Sequence, residues 1–205
     1  KSLGISFKKY KNIYSIKGYG LNGFNIKKNI TINAGNSGTL ARLILGLLVN
    51  SKKKITLVGD KSLSKRDFSR ITEPLKLFGA NIISSRNCLP VHITGSNFLR
   101  PIKYVEKLGS AQCKSSILLA AIKTPGTTVL KAKKSRNHTE LLFKYLKIPI
   151  KIINSKNYDY IRINGPSNFK GFNYKIPGDI SSSSFFIVLT LLSKKSKMVL
   201  KSINI

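Results

Sequence analysis

The feature that most constrains this chain is that it repeats itself. A turn, Asn36-Ser37-Gly38-Thr39, leads into an apolar stretch over 40–49, a lysine-rich joint and the run Ile55-Thr56-Leu57-Val58. A polar loop with Arg66 follows, then an amphipathic stretch over 71–78 ending at Gly79. Two short alternating segments close the unit, the second around Val91-His92-Ile93. The order returns from Gly109-Ser110-Ala111-Gln112: an apolar stretch over 117–122, the turn Pro125-Gly126, a run over 127–130 and a polar loop with Arg136. An amphipathic stretch over 141–146 and a closing run, Tyr160-Ile161-Arg162-Ile163, complete it. A third copy opens at Gly178-Asp179-Ile180-Ser181, continues over 185–192 and reaches an apolar run over 198–200. Leading strands before the turns, at Tyr104-Val105 and over 172–176, make each unit βαβαββ, with a period of roughly 70 residues, longer than solenoid repeats. Repeated units of this kind predict an α/β fold in which helices cover sheets. The first helix of each unit is apolar nearly all round, which predicts that it is buried.

Each unit opens that helix with Gly and small polar residues. Two readings of such a turn stand side by side. Asn, Ser and Asp are ordinary helix N-caps. Exposed N–H groups at the positive end of a helix also bind phosphate or carboxylate, and three related turns suit a shared anionic ligand. The arginines bear on the choice. There are seven, Arg42, Arg66, Arg70, Arg86, Arg100, Arg136 and Arg162, in a chain otherwise saturated with lysine. The planar guanidinium grips carboxylate and phosphate in a bidentate way that lysine cannot. Arg42 lies one turn into an apolar helix and needs a buried partner there. Arg66 and Arg136 occupy equivalent loops of the first two repeats, where a plain surface charge is the alternative. Among the seven acidic residues, Asp179 is the best placed for acid–base or hydroxyl-binding work, with a helix N-cap as its ordinary role.

Composition narrows the classes. At 41% hydrophobic the 205 residues can bury a core, and no run reaches the length of a membrane span. The opening residues do not read as a signal peptide; they read as the middle of a strand, and both ends of the chain read as cut. The net charge of +30 suggests a polyanion such as RNA as partner. The lysines, however, gather in joints between apolar segments, at 52–54, at 131 and 133–134, and at 194–195, where charge is ordinarily solvated. No zinc-finger spacing, RNP aromatic signature or basic heptad adds to the nucleic-acid reading. Cys88 and Cys113 form no CxxC pair, and His92 and His138 stand alone, so a metal site and a disulfide framework are not expected; a reducing, cytoplasmic setting is. Neither GxGxxG nor a Walker pattern is present, so no nucleotide cofactor is expected.

Five motifs resemble those of the EPSP synthase family, in family order and across the whole chain. Residues 33–42 resemble its NAGNSGT-x-x-R signature, and residues 59–66 its GD-x-SL-x-x-R loop. Residues 110–115 are similar to SAQ-x-KS, residues 135–140 to SRDHTE with Asn137 in place of Asp, and residues 177–182 to PGDISS. The resemblance implies two domains, each of three βαβαββ units, with the site between them. Residues 1–176 would be most of one domain and 177–205 the start of the other, the crossing falling near 175–178. It implies transfer of the enolpyruvyl group of phosphoenolpyruvate to the 5-hydroxyl of shikimate-3-phosphate, without cofactor or metal, by a protein that is a monomer at full length. Ser110, Ala111, Gln112, Ser135 and Arg136 would hold shikimate-3-phosphate. Gly38 and Arg66 would hold phosphoenolpyruvate, with Gln112 touching both, and Asn36, Thr39 and Arg42 would shape the loop. A Lys-Ser loop before Lys1 and acid–base residues after Ile205 would be missing, so the fragment alone would be inactive. The alternatives are an enolpyruvyl transferase acting on UDP-N-acetylglucosamine, which carries a reactive cysteine in a Gly-rich loop, and a basic RNA-binding α/β protein.

Overall fold

The structure, a computed structural model, describes residues 2–203, and the chain falls into two compact units, Lys1–Phe169 and Lys170–Ile205. The first unit opens with a hairpin, β1 (Ser6–Tyr10) against β2 (Ile13–Lys17), every residue of which is exposed. The expected strand at the very start is displaced: Lys1 lies outside the described residues, residues 2–4 are turn and bend, and pairing begins at Ser6.

Two full repeats follow. The first is β3 (Ile30–Asn33), α1 (Gly38–Leu47), β4 (Ile55–Val58), α2 (Ser69–Leu77), β5 (Asn81–Ser84) and β6 (Val91–Thr94). The second is β7 (Lys103–Glu106), α3 (Ala111–Ala121), β8 (Gly126–Lys133), α4 (His138–Tyr145), β9 (Ile150–Asn154) and β10 (Tyr158–Gly165). Their sheets have the same strand order, β3-β4-β6-β5 and β7-β8-β10-β9, so the βαβαββ reading holds for both. The leading pair of each is parallel, Ile30 opposite Ile55 and Lys103 opposite Val129, because a helix carries the chain back between them. The other pairs are antiparallel.

Period-two alternation turns Ile55 and Leu57 of β4, Val91 and Ile93 of β6, Leu130 and Ala132 of β8, and Ile161 and Ile163 of β10 into one core. The first helices of the two repeats meet there. Ala41, Leu45 and Leu48 face Ile117, Leu118 and Ala120, all without exposed surface. A side-chain carbon at Gly46 would collide with the backbone carbonyl of Ser116, so α1 and α3 approach backbone to backbone. Lys123, just past α3, donates to Leu47 O at 2.7 Å and Asn50 Oδ1 at 3.0 Å, tying the C-terminal ends of the helices together. Burial there pushes its ammonium down to about 8.

The second unit departs from the repeat. It contains α5 (Ile180–Leu192), but no residue of that helix is buried, although the sequence predicts burial. Segments 172–176 and 198–200 are not strands; a strand exists only through a paired ladder, and among the described residues the pairing in this unit is a single bridge, Gly178 to Ile203. An apolar helix is buried only when a sheet or another helix covers it, and the described residues of this unit form no ladder to do so. No helix among the described residues is long and apolar enough to cross a membrane.

Candidate active site

The N-terminus of α1 is built by two strand ends clipped together. Ala34 N donates to Val58 O at 2.9 Å, and Asp60 N to Gly35 O at 2.8 Å, holding the turn after β3 against the loop after β4. The Asp60 carboxylate completes the clip. It accepts from Leu63 N at 2.7 Å and from Asn36 Nδ2 at 2.6 Å, and these bonds, Leu63 first, hold it below the usual carboxylate range. Ser37 caps the helix, its Oγ accepting from Leu40 N at 3.1 Å. Gly38 is buried between cations: a side-chain carbon there would stand 3.3 Å from Arg66 Nη1 and 3.8 Å from Arg42 Nη1. Any larger residue at 38 therefore presses first on the guanidinium of Arg66, which gives this glycine a reason present in the chain itself.

Arg42 points off α1 toward the second repeat. Its Nη1 donates to Gln112 Oε1 at 2.6 Å, and Gln112 Nε2 donates to Thr39 Oγ1 at 2.8 Å. Its guanidinium also lies 5.4 Å from the centre of the Phe68 ring. Arg42 is held below the usual arginine range, first by burial and then by the charges of Arg70 and Arg66, with Asp67 opposing. The partner that an arginine on an apolar helix requires is thus Gln112, and three guanidiniums share one field that Asp67 only partly offsets.

The start of α3 is held differently. Buried Glu106, at the end of β7, accepts from the N–H groups of Leu108 at 3.0 Å, Gly109 at 2.8 Å and Ser110 at 3.1 Å, and so shapes the turn. Ser110 caps α3 by accepting from Cys113 N at 3.3 Å. Cys113 is buried and its thiol is pushed up to about 12, chiefly by burial and then by Glu106. It stays protonated and donates to Arg70 O at 3.0 Å. That carbonyl is the one Pro74, inside α2, leaves without its helical N–H. Cys113 is therefore a structural thiol and not a reactive one. A side-chain carbon at Gly109 would come 3.3 Å from Lys134 O, so the turn adjoins the segment carrying Ser135 and Arg136. Ser135 Oγ is buried without a hydrogen-bond partner, and Arg136 is exposed before α4. Asn137 N-caps α4 without a side-chain bond.

The structure thus gathers Asn36, Gly38, Thr39, Arg42, Arg66 and Gln112 by direct contact or near approach, with Ser110 and Ala111 on the turn that carries Gln112. Ser135 and Arg136 join through the Gly109–Lys134 contact. Asp179 belongs to the second unit. There it caps α5, accepting from Ser181 N at 2.9 Å and Ser182 Oγ at 2.7 Å, and these bonds, Ser182 first, hold its carboxyl low. An ionised N-cap is a poor proton donor at neutral pH. Sequence reasoning passed over the roles of Asp60 and Glu106. Their signal was scarcity: seven acids in a chain of +30, with Glu106 and Asp60 each near a strand end beside a Gly turn.

A family model described as EPSP synthase (3-phosphoshikimate 1-carboxyvinyltransferase) matches residues 1–205. The chain is 37% identical over 207 residues to a 3-phosphoshikimate 1-carboxyvinyltransferase of Caldicellulosiruptor saccharolyticus, covering 98% of this chain and 47% of that relative. It is 36% identical over 208 residues to the enzyme of that name from Enterococcus faecalis, covering all of this chain and 48% of the relative. A solved structure of EPSP synthase from Acinetobacter baumannii superposes with a TM-score of 0.81 at 34% identity, over all of this chain and 46% of that one. The chain spans about half the length of the relatives it matches. With matched repeats, five motifs in order and a family model that runs from end to end, the chain belongs to the EPSP synthase family.

Proposed function

We propose that this chain is one part of a full-length enolpyruvyl transferase and supplies one wall of its active site. The reaction joins phosphoenolpyruvate to the 5-hydroxyl of shikimate-3-phosphate and releases phosphate. The observation that carries the proposal is Gln112, whose amide is hydrogen-bonded to both Arg42 and Thr39. That contact seats the α1 turn, with Gly38 and Arg66, against the α3 turn, with Ser110 and Ala111. Both substrates are polyanions, and a site for them needs cations fixed before the reaction begins. Arg66 and Arg42 supply that field on the phosphoenolpyruvate side, and Arg136 with Ser135 on the shikimate-3-phosphate side. Ser135 would have to turn its hydroxyl out of its present buried position to take part. The second domain begins near residue 177, the enzyme is a cytoplasmic monomer, and its reaction calls on no cofactor or metal.

The rival readings are not favoured. Cys113 is a buried, protonated thiol bonded to a helix carbonyl, unlike the reactive loop cysteine of the UDP-N-acetylglucosamine enzyme. Lys52, Lys53, Lys54, Lys194 and Lys195 are exposed in the joints between elements, as solvated charge is. The test is calorimetric titration of the full-length protein with shikimate-3-phosphate. Arg136→Ala should weaken binding by at least about tenfold, since a charge-assisted hydrogen bond contributes about 1.5–3 kcal/mol. Its melting temperature should hardly move, because the residue is an exposed loop arginine. Unchanged affinity would remove Arg136 from the site.

A further inference from the structure

Lys114 has no exposed surface, and its Nζ lies 2.6 Å from Glu140 Oε1, on a side chain only 3% exposed. Both Lys114 Nζ and Glu140 Oε2 are buried without a hydrogen-bond partner, so the contact is a bare ion pair and not an aligned hydrogen bond. A buried ion pair left incompletely bonded is a poor way to stabilise a fold, because the desolvation of two charges offsets much of their attraction. Apolar residues of similar size would do as well or better. The first repeat shows that the position does not require charge. Counting from the capping serines, Ala41 stands on α1 where Lys114 stands on α3, and it too is fully buried.

The location of the pair suggests what it does. Lys114 sits one turn into α3, directly behind Ser110, Ala111 and Gln112. Glu140 sits in the first turn of α4, directly behind Ser135 and Arg136. Beside the pair, Ser115 Oγ, one residue after Lys114, and Thr139 Oγ1, one before Glu140, are 2.7 Å apart. Gly109 meets Lys134 on the other side of the loop. The loop over 134–137 is therefore flanked by two tethers, the approach of Lys134 O to the turn before α3 and the Ser115–Thr139 hydrogen bond between α3 and α4.

We propose that the Lys114–Glu140 ion pair is a positioning device, setting the Ser135–Arg136 loop at a fixed distance from the Ser110–Gln112 turn so that both grip one shikimate-3-phosphate. An apolar contact lets two helices slide, whereas drawing two buried charges apart leaves each without a counter-charge, a cost that holds the helices in register. The proposal rests on the reading of both segments as binding shikimate-3-phosphate, and neither Lys114 nor Glu140 touches substrate.

The test uses the full-length protein with the double variant Lys114→Met/Glu140→Leu, beside Glu140→Gln and Arg136→Ala. The double variant should keep or raise the melting temperature, while KM and Kd for shikimate-3-phosphate rise about tenfold, the loss of one hydrogen bond to a charged group. KM for phosphoenolpyruvate should stay near the parent value, a split that a general loss of structure would not give. Glu140→Gln, which keeps the size and one acceptor but not the charge, should move shikimate-3-phosphate affinity the same way. Unchanged affinity in both variants overturns the proposal. So does a double variant that cannot fold, which would show the pair to hold the fold and not the loop. If Arg136→Ala also leaves affinity unchanged, it is the reading of the loop as a substrate site that fails; if Arg136→Ala weakens binding and the pair variants do not, only the positioning role fails.

Discussion

Ser37 and Ser110 cap α1 and α3 in the same way, each accepting from the N–H three residues on, and from that shared start the two repeats diverge in where they put charge. In the first repeat the turn is held by exposed Asp60 and Asn36, and its cations, Arg66 and Arg70, stay at the surface. In the second, the turn is held by buried Glu106, and the helix cation is Lys114, buried and neutralised inside. Gln112 cross-links the two helix starts: its bond to Thr39 joins equivalent positions after the caps, and its bond to Arg42 reaches one turn further along α1. One topology thus carries two arrangements. The first repeat leaves positive charge incompletely balanced at a helix start, as an anion site needs. The second uses its acids for internal bonding, which holds its own helix start rigidly against the first.

The sharpest way to break this comparison is to remove each turn's acid. Glu106→Ala leaves three N–H groups without their charged acceptor and empties a buried position, so it should cost about 3 kcal/mol. Asp60→Ala should cost clearly less, because water can replace an exposed carboxylate. Urea unfolding of the full-length protein measures both. Equal losses would mean that the two turns are held alike after all.

Next in size is the contact on which both repeats depend. Gly46→Ala puts a methyl group into the backbone of Ser116, and neither helix can yield without disturbing Leu45, Leu48 or Ile117. A loss of about 2 kcal/mol is expected, typical of overpacking a tight core, with the Arg42–Gln112 contact loosened as well. A melting curve with a shikimate-3-phosphate titration reads both effects. A neutral substitution would show that α1 and α3 can separate at no cost, and the two repeats would then not behave as one body.

Cys113→Ala is smaller again, at about 1–2 kcal/mol, because it removes one sulfur and leaves Arg70 O without its donor. Cys113→Ser should restore part of the loss, since a hydroxyl can donate to the same carbonyl. No thiol-directed reagent should modify this residue in the folded protein, and reagent labelling at neutral pH checks it.

How much of this was legible in the sequence varies with the range of the interaction. Local signals were enough for the order of elements, the capping serines and the equivalence of Arg66 and Arg136, because caps and apolar periodicity act within a few residues. Long-range contacts were not. Nothing near Glu106 says that it folds back onto the next turn, and nothing near Pro74 says that the carbonyl it frees will meet Cys113 from another repeat. Arg42 was seen to need a partner, but Gln112 as that partner comes only from the crossing of α1 and α3. The burial expected of α5 and the strands expected over 172–176 and 198–200 rested on likeness to the earlier copies. Burial and pairing depend on what lies alongside, and composition does not carry that information.

The smallest effect expected is a pH dependence that separates the first repeat from the second. Asp60 is held below the ordinary 3.8 by the Leu63 N–H and then the Asn36 amide. Its pKa is thus lower in the folded chain than in the unfolded one. The stability it contributes is fully present above the unfolded value and is lost as pH falls through the folded value. Asp60→Asn removes the charge but keeps an oxygen for Leu63 N–H. The difference in unfolding free energy between parent and variant should therefore hold steady above about pH 5 and shrink toward pH 3. Its size is limited by exposure, since water screens a surface carboxylate and competes for both of its hydrogen bonds. Urea melts at closely spaced pH values measure the difference directly. A gap that stays constant down to pH 3 would mean that the Asp60 clip does not depend on ionisation, and the first repeat's turn would then be held by its backbone bonds, Ala34 to Val58 and Asp60 to Gly35, alone.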